Sequence, residues 1–106
     1  MTTLTEQEFR VKSDEALEGA RQALLPLADE HEFEVELQGG VLQIVFEEPH
    51  ETKFVISPNA PVRQIWVSAM SRSFKTTWDD SRNGFALNGE PLPALLERLC
   101  REFLTA

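Results

Sequence analysis

The chain has 106 residues and a formal net charge of −8, with 42% hydrophobic and 26% charged residues. This composition excludes a disordered chain, the length allows one domain (residues 1–106) with a single core, and the negative charge argues against binding to nucleic acid or to an anionic membrane surface. No apolar run approaches the roughly 18 residues that span a bilayer, and no signal peptide is recognisable, so we expect a cytoplasmic protein.

The first predicted element is an amphipathic helix. Thr5 and Glu8 have the spacing of a capping box, which predicts that the helix begins at Thr5. Apolar residues then recur in steps of about three or four, at Phe9, Ala16, Leu17, Ala20, Leu24 and Leu27. Pro26 cannot donate to the helical ladder and disfavours helical angles in the residue before it, so we expect the regular helix to end or kink near Leu24 or Leu25.

Short strands follow the helix. From residue 33 to residue 37, apolar residues alternate with glutamates, which predicts a half-exposed strand. Gly39 and Gly40 can supply the positive φ angles of a tight hairpin, so residues 41–46 should return as an antiparallel second strand. Turn residues, among them Pro58 and Pro61, separate four further predicted strands, at 53–56, 64–68, 74–78 and 85–87.

A second amphipathic helix closes the chain. After a turn at Asn88 and Gly89 and a first turn suited to prolines, it carries an apolar stripe formed by Leu92, Leu95, Leu96, Leu99 and Phe103. Glu97 and Arg101 have the spacing of a helical ion pair. Cys100, the single cysteine, lies beside the stripe, and we expect it to be a small buried residue rather than a nucleophile.

The order of helix, about six strands and helix predicts an α+β fold. Two apolar helix stripes need an apolar sheet face to cover, which a two-layer α/β sandwich provides: two helices packed on one face of an antiparallel sheet of about six strands. The other sheet face then lies in water, where exposed side chains can bind partners.

Three stretches resemble the frataxin family in its bacterial form. They are the acidic first helix, the segment from Glu34 to Leu42 that reads EVELQGGVL, and the segment from Pro61 to Ser68 that reads PVRQIWVS. The Gln64-Ile65-Trp66 core is the most specific piece, and the resemblance covers roughly residues 9–104 with the same element order.

The resemblance implies an iron-binding protein of iron-sulfur cluster biogenesis. Frataxins bind iron weakly on an acidic ridge formed by the first helix and first strand, and the same ridge meets the cysteine desulfurase. The matching metal candidates are Asp14, Glu15 and Glu18 on the helix, Asp29, Glu30 and Glu32 on the connection, and Glu34 and Glu36 on the strand. The implied contact with the iron-sulfur scaffold protein involves Trp66, with Gln64 and Ser68 beside it.

The sequence departs from the family at several positions. Arg21, Gln22, Leu25 and Pro26 stand where relatives carry further acids, so the resemblance implies a thinner ridge and weaker iron binding. On the scaffold-facing surface, the family's asparagine and glutamine before the Gln-Ile-Trp stretch are replaced by Ser57 and Asn59, and a tryptophan in the last strand by Phe85.

Each candidate also has a purely structural explanation. Acid runs most often solvate a face, Glu15 and Glu18 can pair with Arg21 and Gln22, and strand glutamates can discourage aggregation at a sheet edge. Trp66 alternates with inward-facing residues and should stand on the solvent face, where it either contacts a partner or packs across the strands against Trp78 or another long side chain on the same face. The two histidines, His31 and His50, lie in acidic turns and are either metal ligands or plain surface residues.

Two other classes of function were weighed. No Ser-His-Asp set or phosphate-binding glycine loop is present, so we expect no intrinsic catalysis; ferroxidase activity is conceivable, but the paired Glu and Glu-x-x-His set of di-iron bundles is missing. Secretion chaperones are also small acidic α/β proteins, and they usually form dimers. We expect a monomer, with iron-dependent oligomers as a further possibility.

Overall fold

Helices flank a run of strands along the chain in the computed structural model, which describes residues 4–105. The helices are α1 (Glu6–His31) and α2 (Leu92–Leu104), and a 3-10 helix spans Ala60–Val62. The strands are β1 (Glu34–Gln38), β2 (Val41–Phe46), β3 (Thr52–Asn59), β4 (Gln64–Ala69), β5 (Arg72–Asp79), β6 (Gly84–Leu87) and β7 (Glu90–Pro91). Among these residues the two-residue strand β7 is the element that the sequence did not predict.

All the strands form one antiparallel sheet in chain order, from β1 at one edge to β7 at the other. Strand side chains alternate between the core and water, as Leu42, Ile44 and Phe46 of β2 are buried while the residues between them are half-buried. The buried face packs against the leucine stripes of both helices. The predicted two-layer α+β sandwich is therefore confirmed, and we call its uncovered side the open face.

α1 begins where its capping box predicts. The backbone N–H of Glu8 donates to Thr5 Oγ1 at 3.1 Å, and the backbone N–H of Thr5 donates to Glu8 Oε1 at 2.9 Å. These reciprocal bonds satisfy two amides that the first turn of a helix otherwise leaves unpaired. The hydrogen bond that the backbone N–H of Thr5 donates to the Glu8 carboxylate is also the largest cause that lowers the pKa of the Glu8 carboxyl.

The expected end of α1 near Leu24 or Leu25 is wrong, because the helix continues through Pro26 to His31. Pro26 removes one backbone hydrogen bond of the helix. Its ring lies on the exposed side of α1. Leu24, Leu27 and Ala28, which flank it, are buried in the core. Burial of this last part of the apolar stripe offsets the local cost of the proline, since tertiary packing supplies most helix stability.

This longer helix changes the location of three candidate acids. Asp29 and Glu30 lie in the last turns of α1 rather than on a connection, and Glu32 is the C-cap residue. β1 starts only at Glu34, so Glu32 does not share the polar face of the strand.

The hairpin between β1 and β2 turns at Gly39 and Gly40, whose φ angles of 61° and 79° are left-handed as predicted. Pro58 was expected to separate strands but lies inside β3. It is tolerated because β3 pairs with β2 only as far as Ile56, so at Pro58 the strand has β4 on one side alone. Neither helix within residues 4–105 combines the length and apolar character needed to cross a membrane.

Candidate functional site

The three acids in the middle of α1 differ in how they are paired. The Glu18 carboxylate accepts two hydrogen bonds from the Arg21 guanidinium, at 2.7 and 2.8 Å, and the pKa of Glu18 is lowered to about 2, chiefly by this contact. Glu15 lies 3.8 Å from the ammonium of Lys12, a partner that the sequence did not indicate. Asp14 makes no ion pair or side-chain hydrogen bond within residues 4–105. The mid-helix group is therefore partly neutralised by its own helix.

A second, larger group of acids lies where α1 ends and β1 begins. We call it the acidic corner, and it consists of Asp29, Glu30, Glu32, Glu34 and Glu36. All five residues are exposed. Among residues 4–105, the one basic group that pairs with it is His31, whose Nε2 lies 3.6 Å from Glu30 Oε1. The other four carboxylates have no ion pair or side-chain hydrogen bond with any residue the structure describes.

Acidic residues at the acidic corner are unfavourable for the local stability of the fold. The C-terminal end of a helix carries partial negative charge, so carboxylates there are unfavourable where cations would be favourable. Glu32 also adopts a left-handed conformation, with φ 56° and ψ 48°, a position that glycine or asparagine usually fills. The fold alone therefore does not explain why these residues are glutamate and aspartate.

The corner continues round the edge of the sheet. β1 is an edge strand, and its Val35 and Leu37 pack against the core. Glu34 and Glu36 alternate with them and project from the open face. The acidic corner therefore reaches from the helix layer of the sandwich to the open face of the sheet.

The acids of the predicted ridge are spaced well apart along α1. Glu18 and Asp29 are eleven positions apart in the helix, a distance of about 16 Å along its axis. Within residues 4–105, no group of three or more Asp, Glu, His or Cys side chains is arranged to hold a metal ion. The exposed carboxylates can supply oxygen ligands of the type that iron accepts, but the chain does not preform a cage for the ion.

Trp66 stands on the open face, with 37% of its surface exposed, between the buried residues Ile65 and Val67. Its indole N–H donates to Gln64 Oε1 at 2.7 Å, and Lys75 Nζ lies 4.9 Å from the ring centroid. Ser68 is exposed on the same face of β4. The structure therefore brings the three partner candidates together along one strand.

Lys75 is the residue of this surface that the sequence analysis missed. It lies directly opposite Trp66 in the β4–β5 register. The polar alternation of Ser73, Lys75 and Thr77 places it on the solvent face of its strand, but only the register puts its ammonium over the indole. The contact is a cation–π interaction that restrains the ring.

Packing of Trp66 against Trp78 does not occur, whereas the alternative of another long side chain on the same face is met by Lys75. Trp78 pairs with Phe85, which is buried in the core, so it lies on the helix side of the sheet. The departures Ser57 and Asn59 do face the open surface, opposite Trp66 and Gln64 respectively. Phe85 instead contacts Phe9 of α1 inside the core, with 5.8 Å between ring centroids.

The remaining candidates have structural roles. His50 is exposed, and its ring lies 5.0 Å from that of Phe103. Cys100 is fully buried in the core, as predicted. Burial raises the pKa of its thiol to about 12, so the reactive thiolate is not populated at neutral pH.

Comparison with known proteins identifies the family. The family model of the frataxin-like domain matches residues 2–106. The iron-sulfur cluster assembly protein CyaY of Janthinobacterium sp. (strain Marseille) is 32% identical over 91 residues, which are 79% of this chain and 80% of that protein. The CyaY protein of Pseudomonas aeruginosa is 36% identical over 78 residues, 70% of each chain.

A solved structure agrees with these sequence matches. A frataxin from Psychromonas ingrahamii, described as a member of the CyaY protein family, superposes with a TM-score of 0.69 over 96% of this chain and 93% of its own, at 15% identity. This likeness shows the fold. Together with the family match and the relatives above, it shows that the chain belongs to the frataxin family, as a bacterial protein of the CyaY type.

Proposed function

We propose that this protein serves iron-sulfur cluster assembly by holding iron weakly at the acidic corner and by docking on the cysteine desulfurase through the same surface. The names of the CyaY relatives support the assembly role. The acidic corner is the observation that carries the iron proposal, because three of its carboxylates stand at the negative end of α1, two more follow on β1, and one histidine lies beside them.

The corner suits an ion that is passed on rather than kept. A cation placed there relieves repulsion among the carboxylates and the helix end, which gives it a favourable electrostatic energy without a cage of fixed ligands. Exposed carboxylates exchange their ions readily, and the bound iron keeps part of its water. The mid-helix group competes poorly, because Glu15 and Glu18 already have cationic partners.

An iron titration tests this assignment. Fe²⁺ added without oxygen to the ¹⁵N-labelled protein should broaden the amide signals of residues 29–36 first. Asp29→Asn combined with Glu32→Gln should abolish most of this broadening. The matched control, Asp14→Asn combined with Glu15→Gln, removes the same charge and should leave it in place. Broadening centred on residues 14–18 would contradict the assignment to the corner.

The desulfurase contact follows from charge. A strongly acidic, exposed surface is complementary to a basic protein surface, and such complementarity governs both the association rate and the choice of partner. Glu34→Lys combined with Glu36→Lys should abolish desulfurase binding while leaving the fold intact, because both side chains point to water. Unchanged binding would remove the corner from the docking surface.

The open face supports a second contact, with the scaffold protein. Trp66 is a large exposed aromatic residue whose orientation is set by Gln64 and Lys75, so little conformational freedom is lost on docking. The β1 edge and β4 are three strand spacings apart, about 14 Å, so partners on the corner and on Trp66 would sit side by side. No feature of the described chain favours the secretion-chaperone alternative.

Truncation of Trp66 tests whether its side chain serves scaffold binding or the stability of the fold. Trp66→Ala should weaken scaffold binding about tenfold or more, as loss of a central aromatic anchor does, while the melting temperature changes little. A large fall in melting temperature with normal scaffold binding would show that the indole serves the fold.

A further inference from the structure

The outer edge of β1 presents backbone groups that no other strand uses. β1 is the first strand of the sheet and pairs with β2 on its inner side. The two glycines of the β1–β2 turn both have positive φ, and a turn of this kind is closed by a hydrogen-bonded pair of residues, one at the end of each strand. Hydrogen-bonded and non-hydrogen-bonded pairs then alternate along the two strands.

This alternation determines which residues of β1 face outward. Counting back from the turn, the backbone groups of Glu36 and Glu34 bond to β2. The N–H and C=O groups of Val35 and Leu37 therefore point away from the sheet. Neither residue makes a backbone hydrogen bond to a loop or a helix within residues 4–105. Such an unpaired edge can accept a further strand.

The side chains of β1 differ between its two faces. Val35 and Leu37 are half-buried and pack against the core on the helix side. Glu34 and Glu36 are exposed on the open face, and their cross-strand neighbours on β2 are uncharged. Neither glutamate forms an ion pair with a residue that the structure describes. A strand added outside β1 would supply the missing cross-strand positions.

Charge decides which strand fits this edge. A second copy of β1, paired antiparallel to the first, would set the glutamates of the two copies against each other on one face. Like charges directly opposite destabilise a strand pair, so the edge disfavours association with itself. A strand with basic residues at the same positions would instead neutralise Glu34 and Glu36.

We propose that the edge of β1 binds an extended segment of a partner protein in which lysine or arginine alternates with apolar residues. The segment adds to the sheet as an outer strand and bonds to the backbone of Val35 and Leu37. Its basic side chains lie beside Glu34 and Glu36, and its apolar side chains continue the helix-side layer. This goes beyond the docking described above, which needs only the side-chain charges of the acidic corner and no free backbone group.

Hydrogen exchange with a short capped peptide of alternating lysine and valine tests strand addition. The peptide should bind with a Kd of about 1 mM or tighter. At about ten times the Kd, exchange of the Val35 and Leu37 amides should slow about tenfold, because only the free protein exposes them. The amides of Glu34 and Glu36 already bond to β2 and are the internal reference. Unchanged exchange at Val35 and Leu37 under saturating peptide would overturn the proposal, even where the peptide binds through its charge.

A pair of variants at one position tests the same backbone group. Val35→Pro removes the outward N–H, and proline is tolerated on an edge strand where that N–H faces solvent. It should weaken peptide binding about fivefold or more. Val35→Ala also shortens the side chain but keeps the N–H, so it should bind within about twofold of the unaltered chain. Equal binding by the two variants would contradict the use of this edge.

A second peptide tests the choice of a basic segment. Glutamine in place of every lysine should weaken binding about fivefold or more, and Glu34→Gln combined with Glu36→Gln should remove most of that difference. Equal binding of the lysine and glutamine peptides would overturn the basic occupant. These measurements use neither iron nor the desulfurase, so their outcome is separate from the tests of the proposed function.

Discussion

At the scale of single residues, Glu32 shows how the acidic corner departs from what stability favours. Its left-handed backbone costs about 1 kcal/mol relative to glycine. Glu32→Gly should therefore raise the free energy of unfolding by about that amount while it lowers iron affinity. The measurement is urea denaturation at neutral pH.

A control variant lies two residues earlier. Glu30→Gly removes the same charge from a residue with helical conformation, so it should lower the free energy of unfolding by up to about 1 kcal/mol. If both variants were destabilised, the strain at Glu32 would not be real and the argument for a functional carboxylate there would fail.

The ion pair between Glu18 and Arg21 predicts a dependence of stability on pH. The pKa of Glu18 is about 2 in the folded chain against an ordinary value of 4.5, so the folded state binds this proton less readily than the unfolded state. The resulting stabilisation is fully present above pH 4.5 and is lost as the pH falls towards 2. The carboxylate is solvent-exposed, so the effect is small and screened by salt.

Comparison with Glu18→Gln isolates this contribution. At pH 7 and low salt the variant should unfold at a lower urea concentration than the unaltered chain, and the difference should shrink as the pH approaches 2. A difference that stayed constant across this range would show that the Arg21 contact does not depend on the charge of Glu18.

At the scale of elements, local sequence signals predicted most of the structure. The capping box at Thr5 and the paired glycines at 39 and 40 determine their own backbone geometry, so they could be interpreted without knowledge of the fold. Strand bounds were predicted too short at β3 and β5, because pairing with neighbouring strands extends a strand beyond its apolar centre. β7 was missed because two residues carry no periodicity.

The predicted end of α1 was wrong because tertiary packing outweighs the local tendency of proline to end a helix. Pro26 is a helix breaker by itself, yet the buried stripe continues beyond it at Leu27 and Ala28. Pro26→Ala should restore the missing backbone bond and raise the free energy of unfolding by about 1 to 3 kcal/mol. Chemical denaturation measures this directly, and a loss of stability would show instead that the proline sets the packing of the last two turns.

At the scale of the whole molecule, the sequence predicted which side chains are exposed but not how they are grouped. Alternation placed Glu34, Glu36 and Trp66 in water correctly. It could not show that the first two share the open face with Trp66, or that Lys75 lies over the indole, because both facts depend on register across several strands. The resemblance implied one ridge, whereas about 16 Å of α1 lies between Glu18 and Asp29.

Acidic and basic residues are unevenly distributed over the molecule. The first 51 residues hold 13 acids and 3 bases, and the remaining 55 hold 5 acids and 7 bases. The acids concentrate at the α1–β1 end, while Lys53 and Lys75 lie on the later strands of the open face. A partner oriented by this field would meet the acidic corner with a basic surface.

The most direct test of this account is an amide NMR titration of the ¹⁵N-labelled protein with purified cysteine desulfurase. Iron alone is a weaker test, because any acidic surface attracts cations. The account predicts that perturbations centre on residues 29–36 at micromolar concentrations and disappear in the Glu34→Lys, Glu36→Lys double variant. Perturbations elsewhere, or none at these concentrations, would contradict the acidic corner as the docking surface.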